Sequence, residues 1–181
     1  MIRQARHLLA SRGITAIELL TVVAVLAILA AVGIPSYQDF TDKRRLEGAA
    51  HQYASHLQWA RSQAVQTGQG VRIKVESADA GACYAIYRSG DGTCSCLGSG
   101  SVCDNGQPPL LVTHFAPDAR VTISNHGTAE RRIDPMRGTF TPTGTVAFST
   151  PRGHTVHAIT NLMGRTRLCT PGQRFGGLPS C

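Results

Sequence analysis

Two arginines separated by one residue, Arg165 and Arg167, lie within a stretch from Pro151 to Cys181 that holds four arginines and no acidic residue. In an extended segment residues i and i+2 point the same way, so this pair forms a fork. Guanidinium groups bond phosphate oxygens bidentately, and the phosphate backbone of DNA is a fitting target for such a fork. Gly164, just ahead of it, permits a tight turn or a close approach of the backbone. Thr166 faces the opposite side, and Arg152 and Arg174 widen the cationic patch if the loops bring them near. The competing reading is plainer: most surface arginines are solvated, or pair with acids such as Asp118 or Glu130.

Six cysteines follow as a second group: Cys83, Cys94, Cys96, Cys103, Cys169 and Cys181. Their even number, all beyond an N-terminal apolar run, points to disulfides in an oxidising compartment. Zinc is the rival for the first four, but the paired C-x-x-C knuckles of a structural zinc site are missing. Short loop distances favour a bridge between Cys169 and Cys181 and two bridges within the earlier four, whose connectivity stays open. His154 and His157 stand three apart on an expected strand and so point to opposite faces, which gives no shared metal site. No phosphate-binding loop, nucleophile arrangement or catalytic histidine pair emerges, so neither an enzyme nor a cofactor is expected.

Glu18 is the third candidate. It precedes Leu19 to Ile34, a run with no charged side chain and a single hydroxyl, Thr21. A carboxylate entering such a span is costly and is usually kept where a partner awaits it. With Ile14 to Ile17 added, the run is long enough to span a bilayer. Arg3, Arg6 and Arg12 precede it like a cytoplasmic flank, and removing these three from the formal charge of +7 leaves +4 for the rest of the chain. A secretory signal peptide would end its apolar core in a small-residue cleavage site. Here the small residue at a plausible processing point, Gly13, comes before the run instead.

These residues need elements to position them, and 181 residues suffice for one domain plus an appended element. Gly33 and Pro35 weaken the helix that carries the apolar run, so a bend or a melted turn is expected there. Beyond it Leu46, Ala50, Tyr53, Leu57, Ala60 and Ala64 recur at spacings of three and four, one apolar helix face that needs a domain to pack on. Trp59 flanks that face. Thr67-Gly68-Gln69-Gly70 supplies the stop. Val71, Ile73 and Val75 then alternate with Arg72, Lys74 and Glu76, the pattern of a strand with one wet face. Further strands are expected at 83–88, 110–115, 120–124, 138–141, 145–149, 155–160 and 165–169, with Ser89 to Pro109 as a disulfide-pinned surface loop.

The N-terminal text is specific. Gly13-Ile14-Thr15-Ala16-Ile17-Glu18-Leu19-Leu20, with the run ending Ala31-Val32-Gly33-Ile34-Pro35-Ser36-Tyr37, resembles the class III leader and first helix of type IV prepilins. That resemblance implies a leader over residues 1–13, cut by a prepilin peptidase after Gly13, with methylation of the new N-terminus at Ile14. Ile14 departs from the family's usual phenylalanine. In the resembling fibres the partner of Glu18 is the N-terminal amine of a neighbouring subunit.

A long helix followed by short antiparallel strands resembles the branch of type IV pilin-like proteins that includes FimT and the type II secretion pseudopilin H (GspH). Gly164-Arg165-Thr166-Arg167 matches the Gly-Arg-x-Arg motif near the end of the FimT members. The resemblance implies an α+β, pilin-like fold. Its helix over 14–67, transmembrane in 14–35, packs on an antiparallel sheet or sandwich domain over 68–181. It implies anchoring in the inner membrane with a periplasmic domain, then assembly with major and minor pilins into a fibre at the cell surface. Capture of DNA for natural transformation is one implied function. A purely structural role in a pilus or a type II secretion system is the alternative.

Overall fold

The structure is a computed structural model that describes residues 15–78, 81–97, 100–172 and 174–181. Gly13, Ile14 and the expected leader lie outside the described residues.

One helix, α1, runs over Ala16–Thr67. At its start the Glu18 backbone N–H donates to Thr15 Oγ1 (3.3 Å), an N-cap that satisfies one of the helix's free donors. At its end Gly68 adopts φ 67°, the left-handed conformation that glycine supplies at a helix stop. The helix continues without a break through Gly33 and Pro35, so the melted turn expected there is not formed. Proline removes one donor, and cooperative propagation on both sides carries the helix across the gap.

The chain divides into two units within this helix, residues up to Gln38 and Asp39–Cys181. In the first, the apolar side chains from Ile17 to Ile34 are exposed, with Ile17 at 74% and Val32 at 72%. Among the described residues α1 is the helix long and apolar enough to cross a membrane.

In the second unit Leu46, Ala50, Tyr53, Leu57, Ala60 and Ala64 are fully buried, as their spacing implies. They pack with two sheets. Strands β1 (Val71–Ala78), β2 (Gly81–Arg88), β5 (Leu111–Phe115), β7 (Glu130–Ile133) and β8 (Phe140–Thr141) form a 5-stranded sheet ordered β5-β2-β1-β7-β8. Strands β6 (Thr122–His126), β9 (Gly144–Ser149), β10 (Thr155–Thr160) and β11 (Thr166–Cys169) form a 4-stranded sheet ordered β11-β10-β9-β6. Every pairing is antiparallel. One core joins them: the helix stripe, Ile73, Tyr84, Ile86 and Phe140 from the first sheet, and Ile123, Phe148, Val156 and Ala158 from the second. This is an α+β protein whose long N-terminal helix packs, through its second half, on antiparallel sheets.

Two elements differ from the sequence reading. β7 was hidden because its sequence, Glu-Arg-Arg-Ile, puts an arginine in an inward slot, and Arg131 is buried there. The segment from Ser89 to Pro109 is more than a surface loop. Its short strands β3 (Cys94–Ser95) and β4 (Val102–Cys103) pair with each other. Cys94, Cys96 and Cys103 pack on Cys83, Ala85 and Tyr87, the face of β2 turned away from the main core. β2 is thereby buried on both faces.

Candidate functional site

The arginine fork sits on the β10–β11 hairpin. Thr160 pairs with Thr166 and Ile159 with Arg167. The connecting turn is closed by Gly164 N–H donating to Asn161 O (2.9 Å) and Asn161 N–H donating to Arg165 O (3.1 Å). Asn161 Oδ1 also accepts from the Arg165 N–H at 2.9 Å. Gly164 has φ 77°. A Cβ there would lie 2.5 Å from Phe140 Cε2, so glycine is required by conformation and by space. Its carbonyl accepts from Gln58 Nε2 (2.8 Å), which ties the turn to α1.

Strand alternation then decides where each side chain points. Thr160 is buried and its Oγ1 bonds Thr166 Oγ1 at 3.2 Å, and Leu168 packs on the core. Thr166 and Leu168 therefore face inward, and Arg165 and Arg167 share the outer face, both exposed. Among the described residues neither guanidinium forms an ion pair. Glu130 is held elsewhere, by Arg72 at 3.0 Å. On the same outer face the register continues from Arg167 through Ile159 and Thr145 to His126, and one row over from His157 to Ala147. The rings of His126 and His157 approach to 5.5 Å between centroids across the small residues of β9. Burial, and secondarily the neighbouring His126, hold the His157 pKa below the ordinary imidazole value.

Arg152 and Arg174 do not join this face. Arg152 lies in the β9–β10 turn, and the length of β10, about 17 Å, separates that turn from the β10–β11 turn. Its Nε is 3.6 Å from Asp42 Oδ2, a buried carboxylate that also receives Arg120 Nη2 at 3.0 Å. Arg174 Nη2 donates to Ser180 Oγ at 3.2 Å in the C-terminal loop. At this opposite end Arg152, His154, Pro171 and Phe175 line a cleft of about 470 Å³. His154 is bound there to Asp39 (Nε2–Oδ1, 2.6 Å), well removed in role from His157.

The cysteines pair as Cys83–Cys96, Cys94–Cys103 and Cys169–Cys181. The expected C-terminal bridge and two bridges within the earlier four are thus in place. The Glu76 carboxylate lies within 4.8 Å of the Cys83 and Cys96 sulfurs, but both sulfurs are consumed in a bridge and offer no thiolate to a metal. Glu76 instead pins the loop, accepting from Cys96 N–H (2.7 Å) and Ser95 Oγ (3.1 Å). Burial pushes its carboxyl up, but Lys74 and these donors outweigh that and hold its pKa below the usual range. Glu18 is exposed near the start of α1, with its carboxylate unpaired among the described residues.

Sequence reasoning missed the turn tips beside the fork. Leu162 and Met163 are 51% and 67% exposed, and Met136, on the β7–β8 turn, is 88% exposed. The signal was present, since apolar residues at the tip of a hairpin turn have no core to enter.

The family model described as "Type II transport protein GspH" matches residues 49–169. Two sequences, each named "Fimbrial protein" and from Pseudomonas aeruginosa, are 40% identical over 62 residues, 34% of this chain. The chain spans 40% of the length of these curated relatives. Among solved structures, the type IV minor pilin FimU of P. aeruginosa aligns at 22% identity over 71% of this chain and 91% of its own, with a TM-score of 0.47. The minor pseudopilin EpsH of the Vibrio cholerae type 2 secretion system aligns at 13% identity over 71% and 99%, with a TM-score of 0.48.

Proposed function

The chain belongs to the GspH family, and from that premise we propose that it is a membrane-anchored minor pilin that presents the Arg165–Arg167 fork to DNA for uptake. Prepilin peptidase releases residues 1–13, so the mature chain begins at Ile14, and the first half of α1 holds the protein in the inner membrane until assembly. Glu18 then meets the N-terminal amine of a neighbouring pilin in the fibre, which gives its carboxylate a partner within an apolar surrounding. The observation that carries the DNA reading is the pair of exposed guanidinium groups, without an ion pair among the described residues, on one face of an acid-free C-terminal segment. Phosphate contacts provide affinity without reading bases, as an uptake receptor requires.

Direct titration tests this. The full chain in nanodiscs of zwitterionic lipid is titrated against fluorescent duplex DNA at rising salt. The logarithmic salt slope is about 0.9 per phosphate neutralised, so each of Arg165→Ala and Arg167→Ala flattens it by roughly one unit. Lysine at either position restores only part of the affinity, because an ammonium keeps the charge and loses the planar fork. A folded double-alanine variant with unchanged affinity and slope refutes the reading. The type II transport description of the family supports the second reading, a structural pseudopilin that binds no DNA, and that result would select it.

A further inference from the structure

The β10–β11 turn carries two exposed apolar side chains, Leu162 and Met163, next to the arginine fork. The neighbouring β7–β8 turn adds Met136, and a bond from Phe140 N–H to Leu162 O (2.9 Å) links β8 to this tip. The two turns flank the Arg61 side chain, whose Nε lies 2.8 Å from a Cβ built on Gly138 and whose Cδ lies 3.5 Å from one built on Gly164. Arg137 on the β7–β8 turn is exposed as well. Large apolar side chains gathered at a tip, rimmed by cations, mark a binding surface more than a random exposure.

The charge rim selects the occupant. Anionic and apolar features must alternate within a few ångströms of each other in the ligand. A DNA duplex offers phosphates there and hides the faces of its bases in the stack. A strand with unpaired bases offers both, and Leu or Met side chains, which must pry stacked bases apart to enter a duplex, meet those faces in a single strand without the cost of unstacking. Resting on the DNA reading above, we infer that Leu162 and Met163 form an apolar fingertip for unpaired bases, so this surface prefers single-stranded DNA or frayed duplex ends to intact duplex. The turn is rigid enough for the task, since Gly164 is locked against Phe140 and its carbonyl is held by Gln58.

The test uses the full chain in nanodiscs with a fluorescent strand of about 12 nucleotides, alone and as a blunt duplex. The wild-type protein binds the single strand about tenfold more tightly. Leu162→Ser with Met163→Ser lowers single-strand affinity about tenfold and duplex affinity by less than about twofold, with the melting temperature held. Met163→Phe, a better stacking surface, raises the single-strand preference, and this gain cannot come from a folding defect. Equal wild-type affinity for strand and duplex, or a double-serine variant that keeps the wild-type ratio, overturns the fingertip while leaving the arginine fork standing. Absence of all DNA binding by the wild-type chain instead removes the function on which the fingertip rests. A double-serine variant that keeps the ratio but no longer enters fibres assigns the tip to a neighbouring pilin and also overturns the inference.

Discussion

Arg131 brings a guanidinium into the interior with no ion-pair partner among the described residues. Its Nη2 donates to Asn125 Oδ1 (2.8 Å) and its Nη1 lies 3.4 Å from Tyr53 Oη, while Nε has no partner among the described residues. Gly144 makes the room, since a Cβ there would stand 2.6 Å from Nη2. Arg131→Ala leaves a cavity and two unpaired polar groups and costs about 3 kcal/mol by denaturant unfolding of the chain in detergent. Gly144→Ala costs roughly 1–3 kcal/mol through crowding, and much less in an Arg131→Met background. A second prediction concerns acid. Burial lowers the pKa of His56 and His157 from the ordinary 6.5, so as pH falls the unfolded chain takes up protons before the folded one does. Their stabilisation is complete above pH 6.5 and is lost below it. Hydrogen bonds from Lys43 and then His154 hold Asp39 at about 2 against 3.8 unfolded, so its share is lost between those values. Melting temperature followed against pH checks both, with His157→Gln flattening the upper limb. The fork was legible because side-chain direction in a strand has a period of two. The burial of Arg131 was not, because arginine is normally solvated and its acceptors come from three other elements.

Gly164 links the fork to the scaffold at the level of the hairpin. Gly164→Ala forces a side chain into the left-handed region and against Phe140, at a cost of roughly 1–3 kcal/mol. Hydrogen exchange then rises in β10 and β11 before the rest of the sheets. At the other end of β11 the Cys169–Cys181 bridge closes a separation of 12 residues. Its replacement by two serines lowers stability by roughly 3 kcal/mol on the loop-closure model, read from unfolding curves. The long helix and most strands were legible, since apolar residues repeated at helical or alternating spacing and glycine or proline marked the ends. The Cys94 to Cys103 segment was not, because its buried side chains are the cysteines themselves, and nothing in a Gly- and Ser-rich text distinguishes a loop that covers a sheet from one that lies in water.

On the scale of the whole molecule, α1 serves two surroundings. Its described residues from Ile17 to Ile34 carry exposed apolar side chains, and from Leu46 onward its apolar stripe is buried by the sheets. Glu18→Ala makes the first stretch more apolar, so insertion into the membrane persists while incorporation into fibres falls, as scored by immunoblots of sheared fibres against membranes. Mass spectrometry of fibre-derived protein finds an N-terminus at Ile14. Cleavage after Ala30 or Ala31, as for an ordinary signal peptide, would refute that start. The long apolar run of the first unit was legible from composition alone. The change of character along the helix was legible too, since the uncharged run ends at Ile34 and the apolar stripe begins at Leu46, whereas the boundary at Gln38 was not, because a helix is locally the same on both sides of it.

β11 lies at the edge of its sheet, and among the described residues the tail's backbone hydrogen bonds to this strand's end are Thr170 N–H to Pro179 O and Cys181 N–H to Thr170 O, beside the Cys169–Cys181 bridge. The backbone from Thr166 to Cys169 is thus left open on one side, an invitation to strand pairing between molecules. Charged side chains on such a strand oppose that pairing by repulsion. Arg167, and Arg165 at its mouth, are therefore placed to oppose such pairing as well as to supply positive charge. Alanine at both positions promotes edge-to-edge aggregation that light scattering detects, whereas lysine at both keeps the molecules apart.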